Sequence, residues 1–154
     1  MRTQVEWDRR FLDMAKLVAS WSSCYRAHCG AVIVKDKRQI STGYNGAPPY
    51  QKNCMEIGFC YRDKNGIKSG TQLERCRACG CHSETNAIAN AARAGHATLG
   101  ATIYIYANRE PCTQCKGQMA SAGIARVVWD NTEGRILQTV PEESWTVHPV
   151  DQQL

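Results

Sequence analysis

The sequence predicts an α/β fold in which helices cover one mixed β-sheet. The order of periodicities carries that prediction: a helix, two strands, a cysteine-rich stretch, then helix, strand, helix and strand. Size agrees, because 154 residues, 43% of them apolar, suit one domain spanning the whole chain.

Residues 7–21 place Trp7, Phe11, Leu12, Ala15, Val18 and Ala19 at three- and four-residue intervals, the apolar face of a helix. Gly30-Ala31-Val32-Ile33-Val34 is a short apolar strand, residues 35–38 are a polar turn, and residues 39–44 return as a second strand. The hairpin ends at Asn45-Gly46-Ala47-Pro48-Pro49, because proline cannot continue a ladder. Residues 50–80 show little periodicity and hold Cys54, Cys60, Cys76 and Cys79. So long an irregular insert needs something to pin it, and a structural metal would do so. Residues 83–94 form an alanine-rich helix with Ala87, Ile88, Ala91 and Ala92 on its packing face, stopped by Gly95. Residues 101–107 read as a strand. Pro111 opens a helix over about 112–122, closed by Gly123, and residues 124–129 form the next strand. One further strand is expected around 144–147.

Nineteen basic residues against fourteen acidic ones leave a formal charge of +5, scattered rather than gathered into a run. That would favour a phosphate but does not indicate a nucleic-acid groove. No stretch approaches the ~18 apolar residues of a membrane span, and the first residues lack a secretory core, so a cytoplasmic protein with no membrane partner is expected.

Nine cysteines are an odd count, and without a secretory signal they argue for metal rather than a disulfide framework. The strongest constellation is His82-Ser83-Glu84 followed by Pro111-Cys112-Thr113-Gln114-Cys115. His-x-Glu then Pro-Cys-x-x-Cys is the signature of zinc nucleobase deaminases. Cys112 and Cys115, three apart in the first turn of a helix, face one way where the helix dipole favours thiolate. His82 supplies a neutral third ligand, and three protein ligands leave a fourth position open, the catalytic arrangement of zinc. Glu84 beside them is the candidate proton carrier. The bland alternative makes Glu84 a helix-dipole partner and the cysteines half of a structural site; the joint order of the motifs favours catalysis.

On these motifs, together with Gly43-Tyr44-Asn45-Gly46-Ala47-Pro48 and Ser69-Gly70-Thr71-Gln72-Leu73-Glu74-Arg75-Cys76, the chain resembles the deoxycytidylate (dCMP) deaminases of the cytidine deaminase superfamily. The resemblance runs from about Trp7 to Trp129. It implies a three-layer α/β/α sandwich around a five-stranded mixed sheet with a zinc-binding insert, and a homo-oligomer, commonly a hexamer. It implies deamination of dCMP to dUMP and ammonia in pyrimidine nucleotide metabolism. Alternatives are another cytosine nucleotide, dCTP or a 5-modified dCMP, and less readily a single-stranded nucleic-acid editor.

The resemblance also implies roles. Asn45 would meet the sugar, against its simpler role as a turn-former. Arg26 would meet the 5′-phosphate, against that of a surface arginine. Ser83, where relatives carry alanine, would read the amino edge of the base through its backbone. A second, structural zinc would take Cys24, Cys54, Cys60 and Cys76, with Cys79 or Cys81 as replacements for Cys76, which stands six residues before His82. Cys29 is expected to pack. The wall over residues 104–111 is longer than in typical relatives, and Trp129-Asp130-Asn131-Thr132-Glu133-Gly134-Arg135 replaces a phosphate-holding Tyr-Arg pair, with Arg135 as a possible substitute.

Overall fold

The computed structural model describes residues 1–132 and 136–139. Helix α1 spans Gln4–Ala19, three residues earlier than the apolar face alone implies, because Thr3 and Glu6 form a reciprocal capping box. It ends before Trp21, which is exposed rather than part of the buried face. Strands β1 (Gly30–Lys35) and β2 (Arg38–Tyr44) form the expected hairpin. Asp36 and Lys37 both adopt positive φ, the turn geometry whose twist matches two antiparallel strands.

The insert contains only short turns of helix: α2 (Cys54–Ile57), α3 (Tyr61–Lys64) and a 3₁₀ turn at Leu73–Arg75. Helix α4 (Ser83–Arg93), strand β3 (Thr102–Tyr106), helix α5 (Thr113–Ser121) and strand β4 (Arg126–Asp130) follow. Ala87 and Ala91 are fully buried on α4, whereas Ala92, expected on the same face, is exposed. A fifth strand, β5, lies at Ile136–Thr139. The strand expected around 144–147 falls outside the described residues, as does Arg135. Alternate residues of β5 are half-buried, so its identity comes from pairing with β4 rather than from its own pattern.

Sheet order is β2-β1-β3-β4-β5, with β3 and β4 parallel and every other pair antiparallel. Side chains alternate between two cores. Ala31, Ile33, Ile103, Ile105 and Val127 face α4 and α5, meeting Ala87, Cys115 and Met119. Val32, Val34, Tyr104 and Val128 face α1, meeting Phe11, Leu12, Ala15 and Val18. This is the three-layer sandwich. α1 presses so closely on β1 that a Cβ at Gly30 would collide with the backbone of Ala15 and Ala19.

One polar network ties α1 to the far strands. Arg126 grips Asp8 through Nη1 and Nη2 at 2.8 and 2.6 Å, and the Tyr104 hydroxyl and Gln4 amide donate to the same carboxylate. Burial alone would raise the Asp8 pKa, but these donors outweigh it and hold the carboxyl below its usual range. A depressed folded-state pKa means that the stabilisation is complete above the unfolded carboxylate value and is lost as pH falls through the folded one. Asp8→Ala is therefore expected to lower stability by about 3 kcal/mol near neutrality, because it strands the half-buried Arg126 and the Tyr104 hydroxyl. Urea unfolding at pH 7 and pH 3 checks both points: the difference between variant and wild type must shrink at the lower pH.

Candidate active site

The starts of α4 and α5 converge at one cleft of about 650 Å³. His82 is the N-cap of α4, but its imidazole does not cap the helix and is left for other partners. Cys112 is the N-cap of α5 rather than a residue inside it, and Pro111 precedes the cap instead of opening the first turn. Cys112 Sγ accepts the Cys115 N–H at 3.5 Å, so it serves as the capping acceptor. Cys115, one turn in, is fully buried.

His82 Nδ1 lies 3.5 Å from Cys112 Sγ and 3.4 Å from Cys115 Sγ, and all three ligand atoms fall within 4.8 Å of one another. Hydrogen bonds from Cys115 and then His82 pull the Cys112 thiol down to about 3, so it is a thiolate at neutral pH. The same thiolate, through its hydrogen bond, raises His82 and, with burial, raises Cys115. One neutral nitrogen and two soft sulfurs at converging helix starts fit a zinc ion with an open position.

Glu84 sits one residue into α4 past Ser83, only 6% exposed, with the Ser83 hydroxyl donating to Oε2 at 2.8 Å. Burial pushes its carboxyl pKa up, despite the lowering effect of Ser83 and His82. His82, Ser83, Glu84 and Cys112 all line the cleft.

Arg26 and Asn45 line the same cleft, but both are engaged. Arg26 Nε donates to Asp63 at 2.6 Å and Nη2 to the Ile67 carbonyl at 2.6 Å, so the guanidinium is tied to the insert. Asn45 Oδ1 accepts the Cys29 N–H and Nδ2 donates to the Ala27 carbonyl, both at 2.9 Å, which holds the lip formed by residues 27–29. Cys29 packs against the core as expected and also faces the cleft, where burial, then the nearby Glu84 charge, pushes its thiol up to about 12.

Cys24, Cys54, Cys60 and Cys76 gather along the insert side of the cleft. Burial, then the neighbouring Cys24, Cys60 and Cys76, raises the Cys54 thiol, and Cys24 Sγ accepts the Arg26 N–H at 3.4 Å. Cys81, by contrast, is raised by burial and then by Cys79, outside that group. The four thiols are not drawn to metal-sharing distance; among the described residues only His82, Cys112 and Cys115 form such a group. Arg109, on the wall marked as lengthened, and Ser69, on the insert, also line the cleft, with Arg109 Nη2 donating to the Ser69 hydroxyl at 3.3 Å; sequence reasoning assigned neither a role.

Known proteins match the chain along most of its length. The cytidine and deoxycytidylate deaminase zinc-binding region matches residues 5–131. Deoxycytidylate deaminase of Mycobacterium phage D29 is 39% identical over 127 residues, covering 80% of this chain and 94% of the phage protein. Deoxycytidylate deaminase of Schizosaccharomyces pombe is 35% identical over 128 residues, covering 83% of this chain but 38% of the yeast protein, so the chain spans well under half of that relative. The dCMP deaminase of cyanophage S-TIM5 superposes with a TM-score of 0.62 over 86% of this chain and 89% of its own, at 23% identity, a likeness of fold. Among the described residues no helix is long and apolar enough to cross a membrane. With the match covering most of the chain and His82, Cys112 and Cys115 gathered where they could hold a metal ion, the protein belongs to the cytidine and deoxycytidylate deaminase family.

Proposed function

We propose that this protein deaminates dCMP hydrolytically to dUMP and ammonia, using zinc, as a cytoplasmic enzyme of pyrimidine nucleotide metabolism. The observation that carries the reading is the buried Glu84 in one cleft with His82 and Cys112, whose ligand atoms meet that of Cys115 behind them. Those three residues would hold the ion. When bound, zinc supplies the Lewis acidity that makes water a nucleophile at neutral pH. Glu84 accepts the proton of the attacking water at a carboxylate oxygen and delivers it to N3 as the oxygen bonds to C4. It then takes the proton of the new C4 hydroxyl and gives it to the amine as the C4–N bond breaks, leaving the uracil carbonyl and ammonia. Ser83 steadies Glu84 through its hydroxyl and offers its backbone to the amino edge of the base. Asn45 keeps a second Nδ2 hydrogen for the sugar. The homo-oligomer implied by the resemblance belongs to the same proposal.

A structural zinc at Cys24, Cys54, Cys60 and Cys76 completes the reading. The gathering of these four thiols on one side of the cleft supports it, and Cys76 lines that cleft whereas Cys79 and Cys81 do not. The test is to incubate the pure protein with cytosine, adenine and guanine nucleosides and nucleotides, follow ammonia release, and measure metal content. Release from dCMP above all others, with two zinc ions per chain, is expected. Turnover confined to an adenine or guanine compound overturns the substrate. A single zinc that survives Cys24→Ser and Cys54→Ser removes the structural site.

A further inference from the structure

Once the two metal sites and the core-packed Cys29 are set aside, Cys79 and Cys81 are the thiols that remain. Neither lines the cleft. Of all nine cysteines only Cys79 and Cys112 are exposed, and Cys112 belongs with His82 and Cys115. Cys79 is therefore the uncommitted thiol that solvent reaches first. Its neighbour is set by a tight turn. The Cys81 N–H donates to the Ala78 carbonyl at 2.9 Å, and Gly80, between the two cysteines, has φ of +72°. Positive φ at the third position is the mark of a type II turn and favours glycine there. Buried Ala78 anchors the start of this turn, while a Cβ at Gly80 would meet nothing within 4 Å. Residues two apart in so bent a chain fall within the Cα separation a disulfide bridges, about 4.4–6.8 Å.

The turn is joined to the start of α4 through its carbonyls. Thr85 shares its hydroxyl proton between the Gly80 and His82 carbonyls, both at 3.0 Å. The Cys81 carbonyl accepts from the Asn86 amide at 3.1 Å and from the Gly46 N–H at 3.3 Å. The Gly80 carbonyl carbon would lie inside the ring that a Cys79–Cys81 bond closes, and Cys81 leads directly into His82. Closing so small a ring turns the Gly80 carbonyl off Thr85 and shifts the His82 end of α4. A bond in so small a ring is strained, and strained disulfides are the readily reduced ones. That suits a bond made and broken inside a reducing compartment.

We propose that Cys79 and Cys81 form a reversible disulfide in response to hydroperoxides, and that this bond slows the enzyme by displacing His82. The proposal rests on the deaminase reading above and on Cys76 as the fourth ligand of the insert. The peroxide O–O bond breaks at the Cys79 sulfur, giving a sulfenic acid and one water. The Cys81 thiol then attacks that sulfur, the S–O bond breaks, the S–S bond forms, and a second water leaves. The two thiols are oxidised and the peroxide is reduced. As a test, zinc-loaded protein is treated with hydrogen peroxide, its disulfides are mapped by mass spectrometry, and zinc content and ammonia release from dCMP are followed. A Cys79–Cys81 bond is expected, with zinc retained. Turnover should fall at least about tenfold, since misplacement on the order of 1 Å can cost about 100-fold, and should return on adding dithiothreitol. Cys79→Ser and Cys81→Ser should keep their zinc and their untreated turnover and lose the response. The proposal is overturned if the bond does not form in the wild type, or forms without changing turnover. Loss of zinc from either variant overturns it too, by making that thiol a ligand, as does peroxide inhibition that persists in both variants. Failure of the wild type to deaminate any nucleotide would instead sink the deaminase reading, and a missing Cys79–Cys81 bond would still overturn the pair by itself.

Discussion

Glu84→Gln is expected to bind zinc like the wild type and to lose at least ~100-fold in turnover. The amide has nearly the shape of the carboxylate and can still accept the Ser83 hydroxyl bond seen at Oε2, so the start of α4 should keep its geometry. It cannot take a proton from water, carry it to the base, or hand one to the amine. Metal analysis alongside ammonia release separates the two roles of this region. A variant with full zinc content and near-normal turnover would remove Glu84 from the mechanism. One that lost its zinc would make Glu84 a support of the ligand triad instead.

Gly43→Ala is expected to lower stability by about 3 kcal/mol and the melting temperature by roughly 6–12 °C. By strand propensity alone the change looks favourable, since glycine weakens a strand interior. The structure reverses the sign. A Cβ at Gly43 would be driven into the backbone of Ser83, Asn86 and Ala87, the first turns of α4. That helix is clamped to β2 at this level: the Ser41 hydroxyl donates to the Ala87 carbonyl, Asn86 to Tyr44, and Asn90 to Thr42. Pushing α4 away moves His82 and Glu84 relative to the α5 cysteines, and misplacement on the order of 1 Å can cost about 100-fold in rate. Thermal melts and kcat of the purified variant check the two effects together. A wild-type melting temperature would show that α4 can yield without loss.

Short spacings were legible because local geometry decides them. A step of three from Cys112 to Cys115 spans about one helical turn, and a step of two from His82 to Glu84 keeps both at the start of α4, whatever the rest of the chain does. The continuous apolar run of Val32, Ile33 and Val34 was likewise legible as a strand, and the sheet buries both of its faces. Element ends were less legible. Cys112 became a cap rather than a helix residue, and α1 began at Gln4, because caps depend on single side-chain hydrogen bonds that apolar periodicity does not register.

What only the folded chain decided is which distant residues meet. Arg26 carries the same charge in any sequence reading, yet its partner Asp63 is thirty-seven residues away and ties it to the insert. Arg109 meets Ser69, forty residues away on the insert, and that is a property of packing rather than of composition. β5 is a strand through its pairing with β4, and Gly43 is required by a helix that begins only at Ser83. The physical division is between interactions set by backbone geometry within one or two turns and those set by closing long loops. The first are written in spacing. The second depend on which surfaces the whole sheet brings together, so the residues that meet at the starts of α4 and α5 could be named from the chain while the tie between Arg26 and Asp63 could not.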